Sequence, residues 1–257
     1  MENLFSMIVL AVVQGLTEWL PVSSSGHLLL FERILGYSGG LNFEVALHFG
    51  TLMAVFIYFR KEIIDISRDF FSGKWKTPDG KMGVFIIIGT IPAALIGFFA
   101  SKYFDSVLSD FILLGMGFLI TGILLLIVGF GNSIKKKELD NKKSLVIGVA
   151  QAVAILPSIS RSGATIASGI LLGLDEKRAM QFSFLLSIPA ILGASVLSFG
   201  SGALPVYLII PILVSFLVGL GTIHLCFKYA LNKRRNFAWF GVYCILLGIA
   251  VIVYSLV

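Results

Sequence analysis

Two stretches of the chain share one unusual pattern. Gln14 to Gly26 reads QGLTEWLPVSSSG and Gln151 to Gly163 reads QAVAILPSISRSG, at an offset of 137 residues. Each stretch interrupts an apolar region, residues 4–35 and 145–174 respectively. The apolar arm at residues 145–156 would rise only ~18 Å as a helix, against a hydrocarbon core of ~30 Å. Proline and glycine then break the helix, and hydroxyls can satisfy the freed backbone groups. The pattern therefore predicts two re-entrant helical hairpins.

The rest of the chain is typical of an integral membrane protein. Of its 257 residues, 57% are hydrophobic and 13% are charged, whereas soluble domains carry about 25% charged residues. We predict an all-α polytopic fold in one integral membrane domain, residues 1–257, with the first segment retained because no signal peptide is evident. Six apolar stretches approach the roughly 20 residues that a crossing needs: 43–59, 82–100, 111–130, 180–199, 203–227 and 237–257.

The same offset suggests an internal repeat, with halves at roughly 1–130 and 140–257. Three spans per half is an odd number, so the second half must start on the opposite side of the bilayer, as an inverted-topology repeat. Lys and Arg number six at residues 60–81, five at 134–143 and four at 228–235, but one at 101–110 and none at 200–202. With the basic loops inside, both termini and the first hairpin's mouth lie outside. This loop pattern also excludes nucleic-acid binding.

Ionisable groups inside a membrane are costly and mark candidate sites. If the two hairpin tips meet, Arg161 is brought to Glu18, to His27 and to the serines of both tips. The planar guanidinium suits phosphate oxygens, and a serine beside His or Glu can act as a nucleophile. This combination indicates phosphoryl transfer. The other intramembrane ionisable residues are Glu44 and His48, which could contact the tip or line an access path, and His224, which lies near a span's cytoplasmic end.

Simpler interpretations remain open at this point. Serine and glycine also pack closely between membrane helices, and Glu18 with Arg161 could form a purely structural ion pair. Cys226 and Cys244 are expected to be small buried hydrophobes. No cofactor is required, although a Mg²⁺ or Ca²⁺ ion that bridges to a substrate phosphate stays an alternative.

The first motif, Gln14 to His27, and the second, Ser160-Arg161-Ser162-Gly163-Ala164-Thr165, closely resemble the undecaprenyl-diphosphate phosphatase family, also called bacitracin resistance proteins. The resemblance implies hydrolysis of undecaprenyl diphosphate to the lipid monophosphate that carries cell-wall precursors, at a site facing outward from the bacterial inner membrane. It implies catalytic roles for four residues: Glu18 as the acidic residue, Ser24 as the nucleophile, His27 as the general acid or base and Arg161 as the diphosphate clamp. Ser23, Ser25 and His27 are alternative nucleophiles. The expected substrate-binding residues are Gln14, Ser23, Ser25, Gly26, Ser160, Ser162, Gly163 and Thr165.

Two residues depart from the family pattern. Gln14 stands where many members have Glu, and because an amide cannot act as a base we expect it to bind or orient. Ser158 stands where Gly is usual, and it is expected to stiffen the turn slightly.

A different class of function also fits the predicted architecture. Inverted repeats with broken helices are common in transporters, so a transporter or flippase of the polyprenyl phosphate carrier is the alternative. The type 2 phosphatidic acid phosphatases share Ser-Gly-His and Ser-Arg elements, but residues 14–22 lack their basic residue and residues 163–174 lack their His and Asp. A homodimer is compatible with the sequence and is not specified by it.

Overall fold

A computed structural model describes residues 2–100, 110–132, 136–156, 158–199 and 205–256, and within these ranges the regular secondary structure is helical. The all-α prediction is confirmed for this part of the chain. A short 3-10 turn at Val206–Leu208 and a π-helical turn at Cys226–Ala230 flank the tenth helix. The helices in chain order are α1 (Glu2–Thr17), α2 (Ser24–Leu35), α3 (Gly40–Tyr58), α4 (Arg60–Phe71), α5 (Pro78–Ala100), α6 (Phe111–Phe130), α7 (Asn141–Val153), α8 (Arg161–Leu171), α9 (Glu176–Phe199), α10 (Ile209–Leu225) and α11 (Asn236–Leu256).

Six helical segments of the described chain are long and apolar enough to cross a membrane, and they confirm the six predicted spans to within a few residues. Residue 203, where the fifth span was predicted to begin, lies outside the described residues. Large apolar side chains cover the outward faces of these segments, as expected for contact with lipid. The segments are Gly40–Tyr58, Pro78–Phe99, Phe111–Phe130, Glu176–Val196, Val206–Ala230 and Asn236–Leu256.

The two interrupted regions form pairs of short helices. Helices α1 and α2 have 16 and 12 residues and pack against each other, and α7 and α8 have 13 and 11 residues and do the same. At 1.5 Å per residue each helix is at most about 24 Å long. Pro157, at which the second pair was predicted to turn, lies outside the described residues.

The basic stretch 60–81, expected to be a loop, contains the amphipathic helix α4. Arg60, Lys61 and Arg68 are exposed, whereas Ile66 and Asp69 are buried. Thr77 donates a hydrogen bond to Asp69 Oδ2 at 2.8 Å. The charged residues obscured the apolar positions that recur at helical spacing in this stretch.

The start of α7 is capped by an acidic side chain. Asp140 accepts from the backbone N–H of Lys143 at 2.9 Å. The side chain of Lys143 also donates to Asp140, which lowers the pKa of that exposed carboxyl.

Helices that are distant in the sequence pack together around the core. Helix α6 packs along α11, α3 along α10, α1 along α10 and α5 along α7. An aromatic cluster that includes Trp19, Phe59, Phe184 and Phe227 fills the space beneath the turn between α1 and α2, and the rings of Trp19 and Phe184 are 4.9 Å apart. The turn is therefore packed against buried aromatic side chains through Trp19.

Candidate active site

The two short helix pairs present equivalent caps at one cavity. Ser23 caps α2, and its hydroxyl accepts from the N–H of Gly26 at 3.3 Å. Ser160 caps α8 in the same way, accepting from the N–H of Gly163 at 3.0 Å. The free N–H groups and the dipole at a helix N-terminus favour anions. Two such ends therefore give this cavity a preference for negative charge.

The cavity lies between the two tips, α3 and α9, and has a volume of about 150 Å³. One part of its wall is polar and carries the hydroxyls of both tips. The other part is apolar. The lining residues are Glu18, Ser23, Ser24, Ser25, His48, Ala154, Ile159, Ser160, Arg161, Ser162 and Ile191.

Glu18 is the centre of the polar wall, and its side chain is almost fully buried. Ser24 donates from its hydroxyl to Glu18 Oε2 at 2.6 Å, and Gln14 donates from Nε2 to the same oxygen at 2.9 Å. His48 Nε2 lies 3.4 Å from that oxygen as well. The other carboxylate oxygen, Oε1, accepts from Arg161 Nη2. A buried carboxylate with these partners is suited to hold and orient the Ser24 hydroxyl.

The two terminal nitrogens of the Arg161 guanidinium have different surroundings. Nη2 pairs with Glu18, and the guanidinium carbon lies 5.6 Å from the centre of the Trp19 ring. Nη1 is buried and has no hydrogen-bond partner among the described residues. A buried donor without a partner costs free energy, so an acceptor that reached Nη1 would stabilise the site. A phosphate oxygen meets that requirement.

The two candidate histidines of the first half occupy different places. His48 lines the cavity, and its Nδ1 donates to the backbone carbonyl of Glu44 at 2.8 Å. His27 lies outside the lining, where Nδ1 donates to the carbonyl of Ser23 at 2.7 Å and Nε2 bonds the Tyr243 hydroxyl at 2.6 Å. His27 therefore holds the cap of α2 from behind.

Several other predicted binding residues support the wall without lining it. Gln14 lies behind Glu18. The hydroxyl of Thr165 bonds the hydroxyl of Ser183 at 2.6 Å. At Gly26 an added Cβ would lie 2.5 Å from the Phe118 ring, so a close approach explains the glycine. Gly163 donates to the cap of α8, as described above.

The backbone of the first tip is held by three helices. Cys226, Ser162 and Cys244 contact the carbonyl oxygens of residues 19, 20 and 21 in that order, at donor–oxygen distances of 3.8, 3.0 and 3.9 Å. Such carbonyls need partners inside a membrane. The two cysteines are buried, as predicted, and they also serve as weak donors.

Two serines hold a left-handed backbone, which favours glycine. Ser23 has φ 69° and Ser158 has φ 62°. The Ser158 hydroxyl is also buried without a partner among the described residues. Position 158, where the family resemblance implies Gly, is therefore one where a side chain is strained.

The sequence reasoning missed four residues that complete the site. Tyr243 fixes His27, Phe118 packs on Gly26, Thr121 accepts from the N–H of Ser160 at 3.0 Å, and Ser183 bonds Thr165. Each is a polar or aromatic side chain in an otherwise apolar span. That isolated polarity is the signal that could have found Tyr243, Thr121 and Ser183.

The described lining residues offer a divalent cation one carboxylate, so a Mg²⁺ or Ca²⁺ ion there would take its other oxygens from substrate phosphates or water. Within the described ranges no three His, Cys, Asp or Glu side chains gather into a group that could hold a metal ion. Mg²⁺ and Ca²⁺ prefer several oxygen ligands. The cavity wall offers one carboxylate, and Arg161 already occupies one of its oxygens.

Comparison with known proteins gives one consistent family. A profile described as bacitracin resistance protein BacA matches residues 7–250. A protein named undecaprenyl-diphosphatase from Korarchaeum cryptofilum is 37% identical, over 95% of this chain and 97% of its own. One of the same name from Carboxydothermus hydrogenoformans is 39% identical, over 98% and 97%. Undecaprenyl-diphosphatase 1 of Pseudoalteromonas translucida is 39% identical, over 98% of each chain.

Proposed function

Because the chain belongs to the bacitracin resistance protein BacA family, we propose that it is a membrane phosphatase that removes the terminal phosphate of undecaprenyl diphosphate. The observation that carries this proposal is the hydroxyl of Ser24, held 2.6 Å from the buried carboxylate of Glu18. The partnerless Nη1 of Arg161 at the same cavity adds a donor for a phosphate oxygen. The names of the relatives support the choice of substrate.

In the proposed reaction, Ser24 attacks the terminal phosphorus. Glu18 Oε2 takes the serine proton, and the bond between the terminal phosphorus and the bridging oxygen breaks. Arg161 and the N-termini of α2 and α8 stabilise the charge on the phosphate oxygens. The undecaprenyl monophosphate leaves, and water then hydrolyses the phosphoserine.

His27 stays a predicted acid or base on the family resemblance. Its two nitrogens are engaged by Ser23 and Tyr243, so a proton-transfer role requires it to exchange a partner. The contacts alone support a positioning role, in which the ring fixes the cap of α2 and hence Ser24.

We also propose that the two halves form an inverted repeat in which both short helix pairs are re-entrant. Two observations support this: the matching caps at Ser23 and Ser160, and the lengths of the four short helices, which fall below a ~30 Å crossing. The distribution of basic residues supports a cavity that opens outward from the inner membrane. Recycling of the carrier lipid for peptidoglycan synthesis, and bacitracin resistance, would follow from the proposed activity.

A flippase for the carrier lipid is the second candidate, favoured by the repeated helix order. The two functions differ in one product. A phosphatase releases inorganic phosphate, whereas a flippase moves the lipid without breaking a bond.

The test is phosphate release from undecaprenyl diphosphate by the purified full-length protein in detergent, with and without a chelator. We expect release from the wild type, loss of at least 100-fold in Ser24→Ala and Arg161→Ala, and an unchanged rate in Ser255→Ala, which changes a serine outside the cavity lining. A wild-type protein that releases no phosphate would reject the phosphatase. Full activity of Ser24→Ala would reject the nucleophile.

A further inference from the structure

Hydrolysis through a serine moves a proton in each of its two steps, and the cavity wall offers two side chains that can accept one. This inference rests on the proposed function. In the first step the proton of Ser24 passes to Glu18. The leaving lipid monophosphate is a weak base, with a second pKa of about 6, so it can depart without that proton. When Glu18 keeps the proton, a second base within reach of the phosphoserine takes the proton of the attacking water.

The lining of the cavity limits the choice of that base. Apart from Glu18, its polar side chains are serine hydroxyls, the permanently charged Arg161 and the imidazole of His48. A serine hydroxyl is too weak a base, and a guanidinium has no lone pair to offer. Among the described residues that line the cavity, His48 is thus the remaining proton acceptor.

The hydrogen bond on the far side of the His48 ring fixes its tautomer. The carbonyl of Glu44 can only accept, so Nδ1, 2.8 Å from it, carries a hydrogen. In the neutral ring the lone pair is then on Nε2. That atom lies 3.4 Å from Glu18 Oε2, the oxygen that also accepts from Ser24. In this tautomer the Nε2 lone pair therefore lies beside the base of the nucleophile.

The Nε2 lone pair of His27 is already engaged in a hydrogen bond. Its Nδ1 also donates to a backbone carbonyl, but its Nε2 accepts from the Tyr243 hydroxyl at 2.6 Å in the neutral ring. His27 also lies outside the cavity lining. The two rings share a tautomer, and they differ in what faces Nε2.

We propose that His48 is the general base of the second step. Water attacks the phosphorus of phosphorylated Ser24, and its proton passes to His48 Nε2. The bond between phosphorus and Ser24 Oγ breaks, and Oγ recovers from Glu18 the proton that it gave up in the first step. Inorganic phosphate leaves, and His48 then releases its proton to solvent.

The experiment compares His48→Gln with the wild type in rapid-quench measurements on undecaprenyl diphosphate labelled at the terminal phosphate. Glutamine keeps a polar side chain and removes the base. We expect phosphoserine to form at the wild-type rate and to accumulate towards one per protein, while steady-state turnover falls by roughly 100-fold or more. His224→Gln is the matched control. It changes an exposed histidine of α10 outside the cavity lining, and it should behave as wild type.

Chemical rescue separates lost chemistry from lost structure. Imidazole in solution should restore a measurable part of the turnover of His48→Ala, and it should not accelerate His224→Ala. Wild-type turnover in His48→Gln, or loss of phosphoserine formation in that variant, would overturn the role of His48. The proposed phosphatase function would still stand. A wild-type protein that releases no phosphate would instead overturn the proposed function, and the role of His48 with it.

Discussion

At the scale of single residues, one buried carboxylate organises the candidate site. Glu18 contacts Gln14 on α1, Ser24 at the start of α2, His48 on α3 and Arg161 on α8. An isolated ionised carboxylate would be costly there. The donors from Gln14, Ser24 and Arg161 lower that cost, and they leave Oε2 against the hydroxyl of Ser24.

Replacing the Glu18 carboxylate by an amide should greatly reduce catalysis without changing the structure of the site. In Glu18→Gln the amide oxygen can still accept from Arg161 and the amide NH2 can donate to the Ser24 hydroxyl, but the amide cannot take the serine proton. We expect kcat for phosphate release to fall about 10²- to 10⁴-fold, measured on the purified protein. Glu62→Gln, on α4 and outside the cavity lining, should retain wild-type activity. An active Glu18→Gln protein would show that another group accepts the proton.

Ser158 offers a stability prediction at the same scale. Its φ of 62° costs a side chain roughly 1–2 kcal/mol, and its buried hydroxyl lacks a partner among the described residues. Ser158→Gly should therefore raise the thermal unfolding midpoint in detergent by a few degrees. Ser158→Ala removes the hydroxyl but keeps Cβ, so it should gain less. A glycine variant that unfolds at a lower temperature than the alanine variant would show that the backbone is not strained.

The sequence predicts which residues gather at the site better than it predicts how they point. Two similar motifs in apolar surroundings favour a meeting of Glu18 with Arg161, because unpaired charges are costly in lipid. The direction of the His27 ring depends on Tyr243, 216 residues away. No local pattern carries that information.

At the scale of helices, length and hydrophobicity predicted the six spans, because the bilayer sets both. Helix α4 was missed because its charged residues hide the apolar positions. The carbonyl contacts of Cys226 and Cys244 were missed for another reason. A buried cysteine looks the same in sequence whether or not it donates a hydrogen bond.

The stability of the protein depends on close packing of α5 against α7. A Cβ added to Gly148 would lie 2.3 Å from the carbonyl oxygen of Gly89, which is backbone and cannot swing away. Gly148→Ala should therefore destabilise the protein by about 1–3 kcal/mol, measured as a lower unfolding midpoint in detergent. Gly193→Ala on α9 is the matched control, because a Cβ there meets nothing within 4 Å. An equal effect of both changes would contradict the packing argument.

At the scale of the whole molecule, the order of helices repeats. A pair of short helices, a long helix and two further spans occur in each half, with α4 as an additional helix in the first. The packing of α1 on α10 corresponds to that of α7 on α5. Equivalent caps then bring Ser24 and Arg161, the first residues of α2 and α8, to opposite sides of Glu18.

The proposed inverted topology makes a prediction about sidedness. Lys74 and Val206 are both exposed, and they lie at ends of spans that the basic-loop pattern assigns to opposite sides of the membrane. In intact cells an impermeant thiol reagent should label Val206→Cys, and it should label Lys74→Cys only after permeabilisation. The parent protein is the control, because Cys226 and Cys244 are buried and should stay unlabelled. The opposite labelling pattern would place the basic loops outside and turn the proposed active site towards the cytoplasm.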